Sequence, residues 1–561
     1  MLSNQLDTLP DQVREALTGP GGPFELTTEE VRGVKMTVFA RRAPNLPALL
    51  ISAAQSHPDR DYLVFPGKSV SYGETVQLVP RIAGVLRDRF GVGPGDRVAL
   101  AGANSLEHAL TLWAVLWLGA VVVGLNGWWT GDELREGIDL TAPLVLLGDE
   151  RRLARLEQQP GSRVAGTTFT DCMPGPGADA VPPAEIDEDN AASILFTSGT
   201  TGRSKGAVIT HRGLVNYAMD AQLRGAIDAA LSGETQQAPG PAPVMLLASP
   251  LFHISGIGPL LANAPSTGMN LVFPPEGRWD PGRHLELTAR YGVTSWTGVP
   301  TQLIRLLRHP DVDRYDLRQV RSVGFGGAPL PAALAALLGE KLPHARVASG
   351  YGMSETCGLG TATSGARLLG DPRSAGPATP TCQVVLRDAE GNDIPDRRTA
   401  THAEEYGEIC IRTPSCFLGY WNDEPATAAA LDIDGWYHTG DYGRIADGVL
   451  YLESRMRDLI IRGGENIYPV EIENRLTEHP GLLDAAVIGV PHEELGQEVM
   501  AVVVPCDTAA PSAAEVRSWV AQKLAPFKVP SQVRFVSGLP YSPTGKLLKR
   551  ELEQQIAAAQ R

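Results

Sequence analysis

Apolar positions along the chain fall into two alternating patterns. Val98–Leu100, Val121–Val123, Leu144–Leu147 and Val244–Leu247 are short continuous runs that read as buried strands. Residues 74–90, 104–118 and 131–140 instead carry apolar side chains at helical spacing. Strands alternating with amphipathic helices predict an α/β architecture with parallel-rich sheets. Ile194-Leu195-Phe196 is a further strand-like run, and the residues after it, Thr197 to Gly206, have too little bulk to pack a core. Val208 and Ile209 resume the apolar pattern, and Thr210 is placed to cap a helix starting at His211. The longest apolar run, Ala109–Leu125, is near the lower limit for a membrane span and contains Gly119 and Gly124. A buried helix running into a buried strand is therefore predicted there. Residues 1–45 are expected to form a helical extension.

The pattern changes near residue 440. Gly448–Leu452 reads as a hairpin strand. A helix near 470–478, strands near 483–490 and 498–505 and a helix near 511–524 then follow as a smaller unit. These changes predict an extension over 1–45, a large N-terminal domain of α/β subdomains over 46–456, and a small mobile α+β C-terminal domain over 457–561. Segments 171–188 and 232–243 are rich in Pro, Gly and Ala and are predicted to be exposed loops.

At 561 residues the chain is too long for one hydrophobic core. With 49 basic against 64 acidic residues its net charge is −15, which argues against a nucleic-acid partner and requires any anion site to be built locally. The cysteines, at 172, 357, 382, 410, 416 and 506, show no CxxC pair and no histidine cluster beside them in the sequence. Neither a zinc site nor a disulfide framework is expected, and a reducing, cytoplasmic compartment is. The first residues show no basic stretch followed by an apolar core, so no secretory signal is expected.

The stretch "ILFTSGTTGRSKGAVITHRG" (194–213) carries the first chemistry. Thr197, Ser198, Thr200, Thr201 and Ser204 supply hydroxyls, Lys205 supplies a cation, and the glycines free backbone N–H groups to face a phosphate. A plain surface turn has a similar glycine content, but not this set of hydroxyls beside a lysine. Lys205 is followed by Gly206, so the stretch is not a Walker loop.

"PLFHISG" (250–256), "GFGGAPLP" (324–331), "GYGMSET" (350–356), "GWYHTGD" (435–441) and "SPTGK" (542–546) follow in order. With the loop, they resemble the adenylate-forming superfamily: acyl-CoA synthetases, firefly luciferase and the adenylation domains of peptide synthetases. The resemblance runs from about residue 48 to 552 and is strongest to bacterial fatty or aromatic acid–CoA ligases. It implies an acid–thiol ligase that uses ATP, Mg²⁺ and coenzyme A. A carboxylic acid is joined to AMP with release of pyrophosphate, and a thiol then displaces the AMP.

The resemblance also implies roles for individual residues. Thr197, Ser198, Gly199, Thr200, Thr201, Gly202 and Lys205 would hold the ATP phosphates. Gly326, Gly327 and Ala328 would lie against adenine, Tyr351 would stack on it, and Gly352, Met353 and Ser354 would complete that wall. Thr197 and Glu355 stand where the family holds Mg²⁺. Asp441 would accept the ribose hydroxyls, and Arg455 would contact ribose and phosphate. His253 would stand by the reacting carboxylate. Lys546 would bridge that carboxylate and the α-phosphate, while the nearby Lys549 and Arg550 are expected to be ordinary surface residues. Arg457 occupies the hinge, where Asp or Lys is more usual, and Gly463 and Gly464 would line the coenzyme A tunnel. Gly256, Gly258 and Gly358 suggest room for the acyl group, and Trp296 a wall on one side. An alternative keeps the fold but activates another oxyanion, such as nitrite in diazotisation of an arylamine. A ligand-binding scaffold without activity is the alternative of another class, and it is disfavoured by the presence of Lys546, Glu355 and Asp441 together.

Overall fold

The computed structural model describes residues 2–157, 166–198, 204–232, 242–326, 330–394, 406–455, 458–462, 465–492, 495–506, 510–541 and 547–558. Among the described residues there are five sheets, three of six to eight strands, one of five and one of two. The first sheet runs, from edge to edge, Ser204–Thr210, Ala191–Ser198, Val121–Gly124, Arg97–Ala101, Val145–Gly148 and Gly166–Thr168. Its pairings are parallel except for the outermost one, Ser204–Thr210 on Ala191–Ser198. The second, eight-stranded sheet is parallel through its centre, where Arg346–Tyr351, Ser322–Gly326 and Ser295–Gly298 lie side by side. The third sheet is antiparallel and brings together Gln383–Arg387, Gly407–Arg412, Tyr437–Ala446 and Val449–Arg455.

The apolar runs became these strands because both faces are covered, so no alternation with polar residues is required. Val121–Gly124 is buried throughout, and so is the helix Leu106–Trp117 that precedes it except at Glu107. Gly119, at φ +67°, turns the chain between the two, which a residue with a side chain would do only under strain. No helix among the described residues is long and apolar enough to cross a membrane. The predicted helices are found at Tyr72–Phe90 and Gly131–Thr141, and Thr210 Oγ1 accepts from the Gly213 N–H as the expected cap of His211–Ser232.

The extension departs from expectation. It holds one short helix, Asp11–Thr18, and then a β-hairpin of Leu26–Val31 and Val34–Phe39. Arg32 and Gly33 turn the hairpin with φ of 51° and 84°, the paired positive values of a type I′ turn. The last unit follows the sequence closely: Pro469–Thr477, Leu482–His492, Gly496–Pro505 and Ala513–Ala521. Gln532–Phe535, not foreseen, adds a parallel strand to it.

Candidate active site

The two antiparallel strands flanking the glycine-rich loop place Thr197 opposite Lys205. Residues 199–203 and the Ser198 side chain lie outside the described residues, so Gly199, Thr200, Thr201 and Gly202 cannot be located. Thr197 Oγ1 donates to Glu355 Oε1 at 3.2 Å. The Tyr420 hydroxyl donates to the same oxygen at 2.9 Å, and Lys205 Nζ stands 4.9 Å from the Tyr420 ring centroid. Glu355 is 6% exposed, where a carboxylate without donors would be costly. Burial, and next the charge of Glu355, push the Tyr420 hydroxyl well above its ordinary pKa, so it stays protonated and donates. Among the described residues both donors fall on Oε1 and none on Oε2. An oxygen-only set with one carboxylate oxygen left open fits a hard divalent cation such as Mg²⁺.

A second cluster lies on the strand Tyr437–Ala446. Tyr351 donates its hydroxyl to Asp441 Oδ2 at 2.9 Å, so these two residues stand together. The Asp441 N–H donates to Thr439 Oγ1, which donates to the Ile409 carbonyl. Glu408 holds the same turn: its Oε1 accepts the Gly440 N–H at 3.1 Å, and its Oε2 lies 2.9 Å from His438 Nδ1. Arg387 Nη1 faces His438 Nε2 at 3.2 Å, so Nδ1 carries the ring proton. Cys410 Sγ lies 3.5 Å from that Nδ1. This grouping was not visible in the sequence, because residues 28 apart face each other across two strands. Burial, then Glu408, pushes the thiol up to about 12. Glu408 and His438 form a hydrogen-bonded support for the Asp441 turn.

Gly326 faces Gly350 across adjacent strands, and among the described residues a methyl added at Gly326 would meet only the Gly350 carbonyl, at 3.7 Å. Gly352 is different, because an added methyl would lie 2.4 Å from Gly358 backbone atoms. Met353 and Ser354 lead into the turn that carries Glu355. Gly327 and Ala328 lie outside the described residues, as does the Arg455 side chain, although the Arg455 backbone pairs directly with Asp441.

His253 caps the short helix Ile254–Gly258. Its Nδ1 accepts the Ser255 N–H at 3.2 Å, leaving Nε2 as the protonated nitrogen of the neutral ring. The glycines near it do not make open room. A methyl at Gly258 would lie 2.9 Å from Tyr217 Cε1, and one at Gly358 3.7 Å from Tyr217 Cε2. At Gly256 it would strike the Pro250 carbonyl. The Tyr217 ring, on the helix His211–Ser232, takes the space read as acyl volume. Trp296 is not a wall of that volume either: it is fully buried among the helices behind its sheet, where Nε1 donates to Thr288 Oγ1 at 2.9 Å.

Comparison with known proteins identifies the family. The AMP-binding enzyme family matches residues 50–421, and its C-terminal domain matches residues 471–546. The chain belongs to the AMP-binding enzyme family. Among relatives, 4-coumarate–CoA ligase 2 of Oryza sativa subsp. japonica is 31% identical over 93% of this chain and 92% of its own. Feruloyl-CoA synthase of an Amycolatopsis species is 32% identical over 90% and 98%. Among solved structures, ATP-bound MatB from Rhodopseudomonas palustris matches with a TM-score of 0.78 at 31% identity, over 91% of this chain and 99% of that one. The fold is that of adenylate-forming enzymes, a large α/β domain with a small C-terminal one, and the protein is an AMP-forming acid–thiol ligase with ATP, Mg²⁺ and coenzyme A as family cofactors.

Lys546, Arg457, Gly463 and Gly464 lie outside the described residues. Lys549 is not the free surface lysine expected, since its Nζ pairs with Glu473 Oε1 at 2.7 Å with only 14% of the side chain exposed. Tyr217, Glu408, Tyr420, Tyr437 and His438 escaped sequence reasoning as site residues. Tyr437 and His438 stood inside "GWYHTGD" with no role given, and Tyr420 follows Glu355 by 65 residues with no spacing to link them.

Proposed function

We propose that the protein activates an aromatic carboxylic acid with ATP and passes the acyl group to coenzyme A. The observation that carries the ATP step is the convergence of Thr197 and Tyr420 on Glu355, with Lys205 over the Tyr420 ring and Tyr351 hydrogen-bonded to Asp441. Thr197, Lys205 and the loop between them bind the triphosphate, Asp441 takes the ribose, and Tyr351 flanks the base. Glu355, with Thr197, would hold Mg²⁺, which would neutralise phosphate charge when bound. His253 orients the acid at the mouth of the acyl pocket. An oxygen of the acid attacks the α-phosphorus, the α–β bridging bond breaks and pyrophosphate leaves. Lys546, from the small domain over 457–561, stabilises the charge that grows in this step. In the second step the coenzyme A sulfur attacks the acyl carbon, the bond to AMP breaks, and Gly463 and Gly464 line the thiol's path. Arg457 is the hinge between the two arrangements.

The aromatic preference is supported by Tyr217 beside the helix Ile254–Gly258 and by relatives named for coumarate and ferulate. A pyrophosphate-release screen tests the reading. It pairs ATP with aromatic acids, fatty acids, or nitrite plus an arylamine, each with and without coenzyme A. Turnover that requires an aromatic acid and yields its thioester supports the proposal. Preference for long-chain acids, or nitrite-dependent turnover indifferent to coenzyme A, overturns it.

A further inference from the structure

Tyr420 sits where three parts of the ATP site meet. Its own position is fixed by backbone pairing to the strand that leaves the phosphate loop. The Leu418 N–H donates to the Val208 carbonyl, the Val208 N–H to the Gly419 carbonyl, and the Trp421 N–H to the Gly206 carbonyl. Residues 418–421 thereby add a short strand beside Gly206–Val208, one residue beyond Lys205. The Tyr420 N–H donates to Thr427 Oγ1 at 2.8 Å, and its ring meets Phe417 edge-on at 4.9 Å between centroids. The Phe417 N–H in turn donates to the Glu355 carbonyl at 2.8 Å. Both the backbone and the carboxylate of Glu355 are thus held by one segment, 417–420.

Tyr437, on the strand that carries Asp441, meets the same Phe417 ring edge-on at 5.5 Å between centroids. The Tyr420 ring face serves another purpose, since the Lys205 ammonium lies within range of attraction to it.

We propose that Tyr420 is a positioning residue with two separable jobs. Its hydroxyl, with Thr197, occupies Oε1 of Glu355 and so turns Oε2 towards the metal, while its ring sets Lys205 towards the ATP phosphates. Tyr420 touches neither substrate nor metal. The inference rests on the reading of Glu355 as the metal carboxylate.

The two jobs call for two substitutions. Tyr420→Phe keeps the ring and removes the hydroxyl, and Tyr420→Leu removes both. The readout is calorimetric binding of ATP to the full chain, once with Mg²⁺ and once with EDTA. The ratio of the two dissociation constants measures what the metal contributes. Loss of one hydrogen bond to a charged acceptor should cut that ratio about tenfold in Tyr420→Phe. Its affinity in EDTA should equal wild type. Tyr420→Leu should also weaken binding in EDTA, because Lys205 loses its guide. If Tyr420→Phe keeps the wild-type ratio, or weakens binding equally with and without metal, the proposal fails. Glu355→Gln separates this failure from that of the underlying reading: if it leaves the metal's contribution intact, Glu355 is not the metal carboxylate. If it abolishes that contribution while Tyr420→Phe does not reduce it, only the role of Tyr420 is wrong.

Discussion

A methyl at Gly258 would lie 2.9 Å from the Tyr217 ring, so the glycine exists to let the tyrosine in. Shortening the tyrosine, not changing the glycine, should therefore enlarge the acyl pocket. Tyr217→Ala should raise kcat/KM for bulky aromatic acids relative to benzoate-sized ones by about tenfold, the scale of a change in pocket volume. It should also lower the melting temperature, because the vacated space is only partly refilled. A substrate panel on the purified variant gives the ratio, and an unchanged ratio would place Tyr217 outside the pocket. Glu408 makes a different kind of prediction. Glu408→Ala leaves the Gly440 N–H and His438 Nδ1 without their acceptor, and orphaned donors of this kind cost about 1–3 kcal/mol each. The Asp441 turn should loosen, and ATP affinity measured by calorimetry should fall about tenfold while the KM for the acid stays within twofold. Weakening of both ligands together would mean a general loss of structure.

At the level of elements, the buried runs were legible because a strand covered on both faces needs no polar alternation; Val121–Gly124 and Val145–Gly148 lie within one residue of their expected positions. The hairpin at Leu26–Phe39 was hidden by its polar outer face, Thr28, Glu30, Lys35 and Thr37. Its inward set, Val31, Met36 and Val38, is buried, and Arg32-Gly33 was the turn signal available to a period-two reading. The site was legible where its residues sit in compact motifs, as Thr197, Glu355 and Asp441 do. Its supports were not, because Glu408 with His438, and Tyr420 with Glu355, meet only through strand register. The hairpin's attachment carries a prediction. Arg42 bridges Glu29 and Glu188, each at 2.7 Å, and Glu188 also pairs with Arg212, which leads into the helix after the phosphate loop. Arg42→Ala leaves Glu29 without this partner and Glu188 with Arg212 alone. A loss of about 1–3 kcal/mol in urea unfolding is expected. Arg42→Lys should recover less than half, because an ammonium cannot face two carboxylates with a planar fork. Full recovery by lysine would show that charge alone holds the hairpin.

Across the whole molecule, three buried histidines set an acid limit on stability. Burial is the leading cause in each case: it lowers His108 to about 4, His211 to about 4 and His284 to about 3. In the unfolded chain they titrate near 6.5. Between those values the unfolded state binds more protons, so stability is whole above about pH 6.5 and falls as pH drops towards 4. A shift of this size is worth roughly 3 kcal/mol per histidine. The melting temperature should fall steeply from pH 6.5 to 4.5, and His284→Gln should flatten the slope, even if it lowers the value at pH 7. An unchanged slope in that variant would mean that His284 does not drive the loss.

The largest-scale prediction concerns the two half-reactions, which one rigid arrangement cannot serve if Lys546 and Gly464 both reach the same centre. Lys546→Ala removes charge that stabilises attack on the α-phosphorus, and a loss of about 2–4 kcal/mol there slows pyrophosphate release by roughly thirty- to a thousandfold. It should leave thioester formation from synthetic acyl adenylate and coenzyme A untouched, since the lysine has then swung away. Gly464→Leu should do the reverse, sparing pyrophosphate release and blocking the thiol's path. Arg457→Pro should stiffen the hinge and leave only one of the two steps fast. Measuring both half-reactions in all three variants sets the outcomes side by side. Wild-type pyrophosphate release in Lys546→Ala would remove the lysine from the first step. Equal loss of both steps in Arg457→Pro, with the fold intact, would remove the hinge.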